Sequence, residues 1–267
     1  AAVKAFLTGR WLVSGEKVAM FQVAFQRKYN VKHAHMVNSG SSANLTLITA
    51  IKKHLGWQDG DEVLVSPVGF PTTIAPLAQN NLKPVFVDIE MNTLNFDLDQ
   101  VELMINKNTV AVFVSPVLGN PPDMDRLMEI VKKYKLIYLE DTCDALGSTW
   151  DGKPLGSFGD ISTCSFFPAH HMTMAEGGFV AANHPRHRMA LASLRDWGRA
   201  CYCNSVKPGN ILGGTACGNR LSNWFKDHDD VIYDHRFVFE EIGYNLKPTE
   251  MQAAMGLVQL DKLEEMH

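Results

Sequence analysis

No apolar run in the chain approaches the length needed to cross a bilayer, and no segment has the make-up of a secretory signal. A membrane-spanning protein is not expected, and a cytoplasmic one is. There is no cationic excess either: 25 Lys and Arg against 29 Asp and Glu leave a formal charge of −4, which gives no electrostatic footprint for nucleic acid. Cysteine is scarce and odd in number. In a reducing compartment disulfides are not expected for Cys143, Cys164, Cys201, Cys203 and Cys217, so metal binding, catalysis or plain burial has to account for them. Lysine is missing altogether from 154 to 206.

What is present is an alternation. "EVLVS" (62–66), "PVFVD" (84–88), "VAVFVS" (110–115) and "LIYLED" (136–141) are short β-branched or aromatic runs, separated by the helical patterns "PTTIAPLAQNN", "DLDQVELMINK" and "MDRLMEIVKKY". Such an order predicts right-handed βαβ units, hence an α/β fold with a mostly parallel central sheet and helices on both faces. Ligands of such folds bind at the carboxyl ends of the strands, where Asp88 and the pair Glu140 and Asp141 stand. The 267 residues suffice for one large domain, or one plus a fragment. The chain starts at Ala1 without a methionine and stops inside a helical pattern with no capping glycine or proline. The expectation is a large domain over 1–245, with an irregular, cysteine-containing insertion at 201–240. Residues 246–267 would then begin a helix leading to a small C-terminal domain that is largely absent.

Three segments carry candidate chemistry. "VNSGSSANLTLITAI" sets Ser39, Gly40, Ser41 and Ser42 before a helical pattern, where free N–H groups and hydroxyls suit a phosphate; an ordinary capped helix uses the same residues. "LEDTCDALGS" puts Asp141 at a strand end, either to pair with a protonated ring nitrogen or simply to cap a helix. "VGFPTT" sets Phe70 in a turn, as a stacking ring or as a core residue.

Taken in order with "SFFPAHHMTMAEGG" (165–178) and "GYNLKPTEMQAAMGLVQL" (243–260), these segments resemble the DegT/DnrJ/EryC/StrS sugar aminotransferases of pyridoxal-phosphate fold type I, over nearly the whole chain. The resemblance implies that Gly40, Ser41 and Ser165 bind the cofactor phosphate, that Asp141 pairs with the pyridine nitrogen and that Phe70 stacks on the ring. It also implies that Asn245 reaches the phosphate site of the neighbouring subunit, and hence a homodimer. Where the family's Schiff-base lysine belongs, this chain has His170. An imidazole cannot hold the cofactor covalently, but it titrates near neutrality and can move a proton.

With "PAHH" and "CDALGS", the chain resembles within that family the 3-dehydrases of 3,6-dideoxyhexose (lipopolysaccharide O-antigen) biosynthesis, which use pyridoxamine phosphate and a 2Fe-2S cluster. Their cysteine order, one upstream, a Cys-x-Cys pair, then a fourth, is matched by Cys143, Cys201, Cys203 and Cys217. Cys164 is expected to be buried and inert. The resemblance implies C-3 deoxygenation of a nucleotide-linked 4-keto-6-deoxyhexose. His170 would be the base, with Asp144 orienting it or tuning the cofactor environment, and an NADH-dependent flavin and iron–sulfur reductase would supply electrons. The chain departs from the pattern in three places: a loop of thirteen residues between Cys203 and Cys217, Phe167 in place of a tyrosine, and Ala175 in place of a glycine. Two alternatives stay open, a cluster-free dehydrase of the histidine type and a noncatalytic remnant. His171 is expected to pack near the site, and His184, His187, His228 and His235 to lie on the surface.

Overall fold

A computed structural model describes residues 1–9, 12–200, 221–225, 227–228 and 231–266. Two helices open the chain, α1 (Ala2–Thr8) and α2 (Glu16–Tyr29). Then come β1 (His33–Val37), α3 (Gly40–Leu55), β2 (Glu62–Val65), α4 (Pro71–Gln79), β3 (Lys83–Phe86), α5 (Leu98–Met104), β4 (Thr109–Val114), α6 (Met124–Tyr134) and β5 (Ile137–Asp141). A two-stranded ribbon, β6 (Thr149–Trp150) and β7 (Lys153–Pro154), leads to β8 (Ile161–Ser165), β9 (Gly178–Ala182) and α7 (Pro185–Arg195). A second ribbon, β10 (Leu221–Ser222) with β11 (Tyr233–Asp234), precedes α8 (Glu250–Met266).

Seven strands form one sheet in the order β1-β9-β8-β5-β4-β2-β3. All neighbours from β8 to β3 are parallel, and β9 is antiparallel to both β8 and β1, so six strands share one direction and β9 alone opposes them. The expected mostly parallel sheet is present, with strand ends within two residues of the sequence reading. Strand alternation assigns the two faces. Val63, Val65, Ala111, Phe113 and Leu139 pack with residues of α3 and α7, whereas Leu64, Val112, Val114 and Tyr138 pack with residues of α5 and α6. Beside the latter, α2 and α8 cover Met36, Cys164, Phe179 and Ala181. Each fully buried large apolar side chain contributes roughly 1.5–3 kcal/mol.

Helix α2 has no side-chain cap of its own. Glu250 at the start of α8 provides it, accepting from the N–H groups of Gly15 (2.7 Å), Lys17 (2.8 Å) and Val18 (3.1 Å). A carboxylate at a helix N-terminus also meets the positive end of the dipole.

Two histidines expected on the surface are not there: His187 and His235 are 1% and 2% exposed. His187 lies on the face of α7 turned to α3, with its ring against His54, and His235 packs edge-on against Trp224. His184 and His228 are exposed as expected. Within the span expected to be irregular, 201–220 lie outside the described residues, and the β10–β11 ribbon adds order to the rest.

Glu140 does not join Asp141 at the strand end, because adjacent strand residues face opposite ways. Its carboxylate is buried and accepts the N–H groups of Gly156 (2.6 Å) and Gly159, tying the loop after β7 to β5. Burial pushes this carboxyl up to about 7 from an ordinary 4.5, against backbone donors that favour the charged form. The native state therefore holds the proton more tightly than the unfolded chain between those values, so this group's contribution to stability is lost as pH rises through that window. Unfolding by urea at a series of pH values should show a component of up to about 1.4 kcal/mol per pH unit. Glu140→Gln should remove that component, and an unchanged slope would refute the assignment.

Candidate active site

The carboxyl ends of the six like-directed strands and the start of β9 lie on one edge of the sheet, and the register there is restrictive. Gly178 pairs with Val37 on one side and with Ser165 on the other. To bring the N-terminus of α3 to Ser165, the chain leaving β1 crosses over Gly178. A Cβ on Gly178 would lie 2.0 Å from Ser39 O, and one on Gly40 would lie 2.4 Å from Ser165 Cβ. Both glycines are required by close approach, not by unusual φ.

This crossing assembles a cradle. Ser39 caps α3, its Oγ accepting from Ser42 N at 3.1 Å, so the ordinary capped-helix reading is realised. The Gly40 and Ser41 N–H groups precede the first intrahelical acceptors and point out of the helix. Ser41 Oγ donates to Thr72 Oγ1 at 3.1 Å, drawing the start of α4 to the start of α3 beside Ser165. Gly40, Ser41 and Ser165 therefore come together as expected, with Thr72 added.

Asp141 is buried and caps no helix. Its Oδ2 accepts from Asn44 Nδ2 at 2.8 Å and Thr73 Oγ1 at 2.7 Å, and its Oδ1 accepts from Cys143 N at 3.2 Å. Phe70 is 67% exposed at the start of α4, which rules out the core reading and leaves an open aromatic face at the same edge.

The loop from β8 to β9 carries His170. Phe166 anchors it, fully buried edge-on against Phe21 at 5.5 Å and bonded through its N–H to Gly177 O, while Met172 and Met174 are buried beneath. A turn from Phe167 O to His170 N then presents the imidazole, whose Nδ1 lies 3.1 Å from Asp144 Oδ1. That hydrogen bond is the main cause holding the Asp144 carboxyl below its ordinary value. With Nδ1 engaged, Nε2 is the nitrogen available to take a proton. His171 is half-buried beside it, and Phe167 is 47% exposed.

Cys143, partly buried between Asp141 and Asp144, is unbridged, and burial followed by the Asp141 charge raises its thiol well above the ordinary range. Cys201, Cys203 and Cys217 lie outside the described residues, and among the described residues no three His, Cys, Asp or Glu side chains group as metal ligands. Cys164 is 2% exposed and its thiol is pushed up to about 12, as expected of an inert core residue. Asn245 is exposed and its Oδ1 accepts from Lys247 Nζ at 2.8 Å, while the next residue, Leu246, accepts from Asn38 N at 3.0 Å just before the start of α3. The sequence reading missed Asn44, Thr72 and Thr73. Nothing local in the sequence marks these side chains as facing the site.

The DegT/DnrJ/EryC1/StrS aminotransferase family profile matches residues 1–267. The chain belongs to this family. Within the family, it is 42% identical to a dTDP-4-dehydro-2,6-dideoxy-D-glucose 3-dehydratase of Saccharopolyspora spinosa, across 98% of this chain and 56% of that protein. It is also 42% identical to the lipopolysaccharide biosynthesis protein RfbH of Salmonella typhimurium, across 98% of this chain and 59% of that protein. It thus spans little more than half the length of these curated relatives. Among solved structures, an E. coli GDP-4-keto-6-deoxy-D-mannose-3-dehydratase with bound hydrated PLP superposes with a TM-score of 0.83 at 32% identity, covering 98% of this chain and 64% of that one. The match establishes the aminotransferase-like fold expected from sequence.

Ala175, the alanine where the family pattern has glycine, sits at φ 65° in the loop carrying His170. That left-handed conformation costs an alanine roughly 1–2 kcal/mol. Ala175→Gly should therefore stabilise the protein by about 1 kcal/mol in urea unfolding, and no gain would show that the loop carries no such strain.

Proposed function

We propose that the protein removes the C-3 hydroxyl of a nucleotide-linked 4-keto-6-deoxyhexose, using pyridoxamine phosphate and a 2Fe-2S cluster, in 3,6-dideoxyhexose biosynthesis. The observation that carries this reading is a histidine braced by Asp144 at 3.1 Å where the family's lysine belongs. The relatives named as 3-dehydratases support it.

The cofactor fits the residues present. The cradle at Gly40, where even a Cβ has no room, suits a phosphate gripped by N–H groups and the Ser41 and Ser165 hydroxyls. Asp141 offers a carboxylate for the pyridine nitrogen, and Phe70 a face for the ring. When bound, the cofactor supplies an amine for the C-4 ketone and a ring that accepts electrons from its C4′ carbon. His170 Nε2 takes the C4′ proton, and Asp144 holds the imidazole by Nδ1 and offsets its charge. The C-3 hydroxyl would depart as water with the proton taken from C4′, and two electrons with two protons, one to C-3 and one back to C4′, would put hydrogen in its place. Those electrons would come from an NADH-dependent flavin and iron–sulfur reductase through a cluster on Cys143, Cys201, Cys203 and Cys217. Asn245, exposed on one protomer, would serve the neighbouring subunit of a homodimer. A cytoplasmic setting keeps the four thiols reduced.

Anaerobic reconstitution of the full-length protein with iron, sulfide and pyridoxamine phosphate tests this reading. About two irons per chain with a reducible paramagnetic signal, lost in Cys217→Ser, support it. Cofactor binding without iron would instead establish the cluster-free dehydrase, and binding of neither a noncatalytic remnant. His170→Asn should retain the cofactor and lose about 10²–10⁴-fold in turnover.

A further inference from the structure

Asp141 has two oxygens with different surroundings. Oδ2 accepts two side-chain donors, Asn44 Nδ2 at 2.8 Å from α3 and Thr73 Oγ1 at 2.7 Å from α4, which occupy its two lone-pair directions. Oδ1 accepts the Cys143 N–H at a longer 3.2 Å, and the remaining donor to the carboxylate is the weak Cys143 thiol, so Oδ1 has room for a stronger one. The carboxylate is thus held by one oxygen and offers the other.

An asparagine amide is nearly symmetric in shape, and it could as well present oxygen to Asp141. Thr163 on β8 removes that ambiguity. Its Oγ1 donates to Asn44 Oδ1 at 2.6 Å, while its other acceptor, Glu140 O, stands at 3.4 Å. With Asn44 Oδ1 engaged by a donor, the amide nitrogen must face Asp141. A flipped amide would set oxygen against the Asp141 oxygen among buried groups, where the repulsion is little screened. Thr163 touches Asp141 nowhere and yet fixes what Asp141 meets. It also lies two residues before Ser165, so the strand bearing the phosphate ligand governs the opposite end of the site as well.

We propose that Asn44, Thr73 and Thr163 are positioning residues that aim Asp141 Oδ1 at the pyridine nitrogen of the cofactor. This rests on the reading that the protein binds pyridoxamine phosphate. The ring nitrogen and the two ring carbons that bear C4′ and the phosphate arm belong to one rigid aromatic ring. A carboxylate turned away from the nitrogen therefore weakens the ring's hold on its proton even when phosphate and ring contacts are intact.

The test uses the full-length protein loaded with pyridoxamine phosphate labelled with ¹⁵N in the ring. The ring-nitrogen chemical shift is followed against pH, alongside the dissociation constant from equilibrium dialysis and the melting temperature. Thr163→Val should lower the pH at which the ring nitrogen loses its proton by about one unit and weaken binding about tenfold. Thr163→Ser, which keeps the hydroxyl, should restore both. Thr73→Val should move the titration the same way and carries the test if Thr163→Val does not fold. Titrations and affinities like wild type, with only the melting temperature lowered, would overturn the proposal by reducing the network to a structural one. Wild-type protein that binds no pyridoxamine phosphate would instead overturn the functional reading, and the proposal with it.

Discussion

The candidate site depends on a crossing of two backbones. Strands β1 and β8 run in the same direction but are separated by β9, so nothing leaving β1 can reach Ser165 without passing over the first residue of β9. That residue is Gly178, and the passing chain is Ser39 and Gly40, close enough that neither glycine can carry a side chain. Close packing of this kind has no soft coordinate. The start of α3 is fixed by it, Ser41 then draws in α4, and the two helices deliver Asn44 and Thr73 to Asp141. The geometry of the sheet edge thus comes before the polar chemistry placed on it.

Glu140 and Asp141 show how strand alternation divides labour between two adjacent acids. One faces α3 and α4, meets side-chain donors and stands at the edge where a ligand would sit. The other faces away, meets backbone N–H groups and holds down the loop that leads into β8. Burial pushes the Glu140 carboxyl up to about 7. A pair that stands together at a strand end in the sequence is in three dimensions a candidate-site residue and a clamp.

The parallel part of the sheet was legible because β2, β3, β4 and β5 are short β-branched or aromatic runs separated by helical patterns, signals that survive without tertiary knowledge. Gly40, Ser41, Ser165, Asp141 and the His170–Asp144 pair were legible through order along the chain. The hydrogen-bond partners of Asp141 were not, since Asn44, Thr73 and Thr163 come from three elements far apart in sequence, and nothing local marks a polar side chain as facing inward. The misplaced histidines have the same cause. His187 reads as polar but lies on the packed face of α7, and His235 is covered by an indole that its own neighbourhood does not announce.

The cap on α2 has a consequence for synthesis. The N–H groups of Gly15, Lys17 and Val18 wait for a carboxylate that follows Gly15 by 235 residues. At 20 residues per second, that carboxylate is translated about 12 s after the helix it completes. During that interval α2 must manage with water at its first turn, and its apolar stripe of Val18, Phe21 and Phe25 lacks β9 for about the first 8 s and α8 throughout. The order of translation therefore makes the first part of the chain one of the last to settle, and a ribosome paused before residue 250 would hold out an uncapped, uncovered helix to any chaperone within reach.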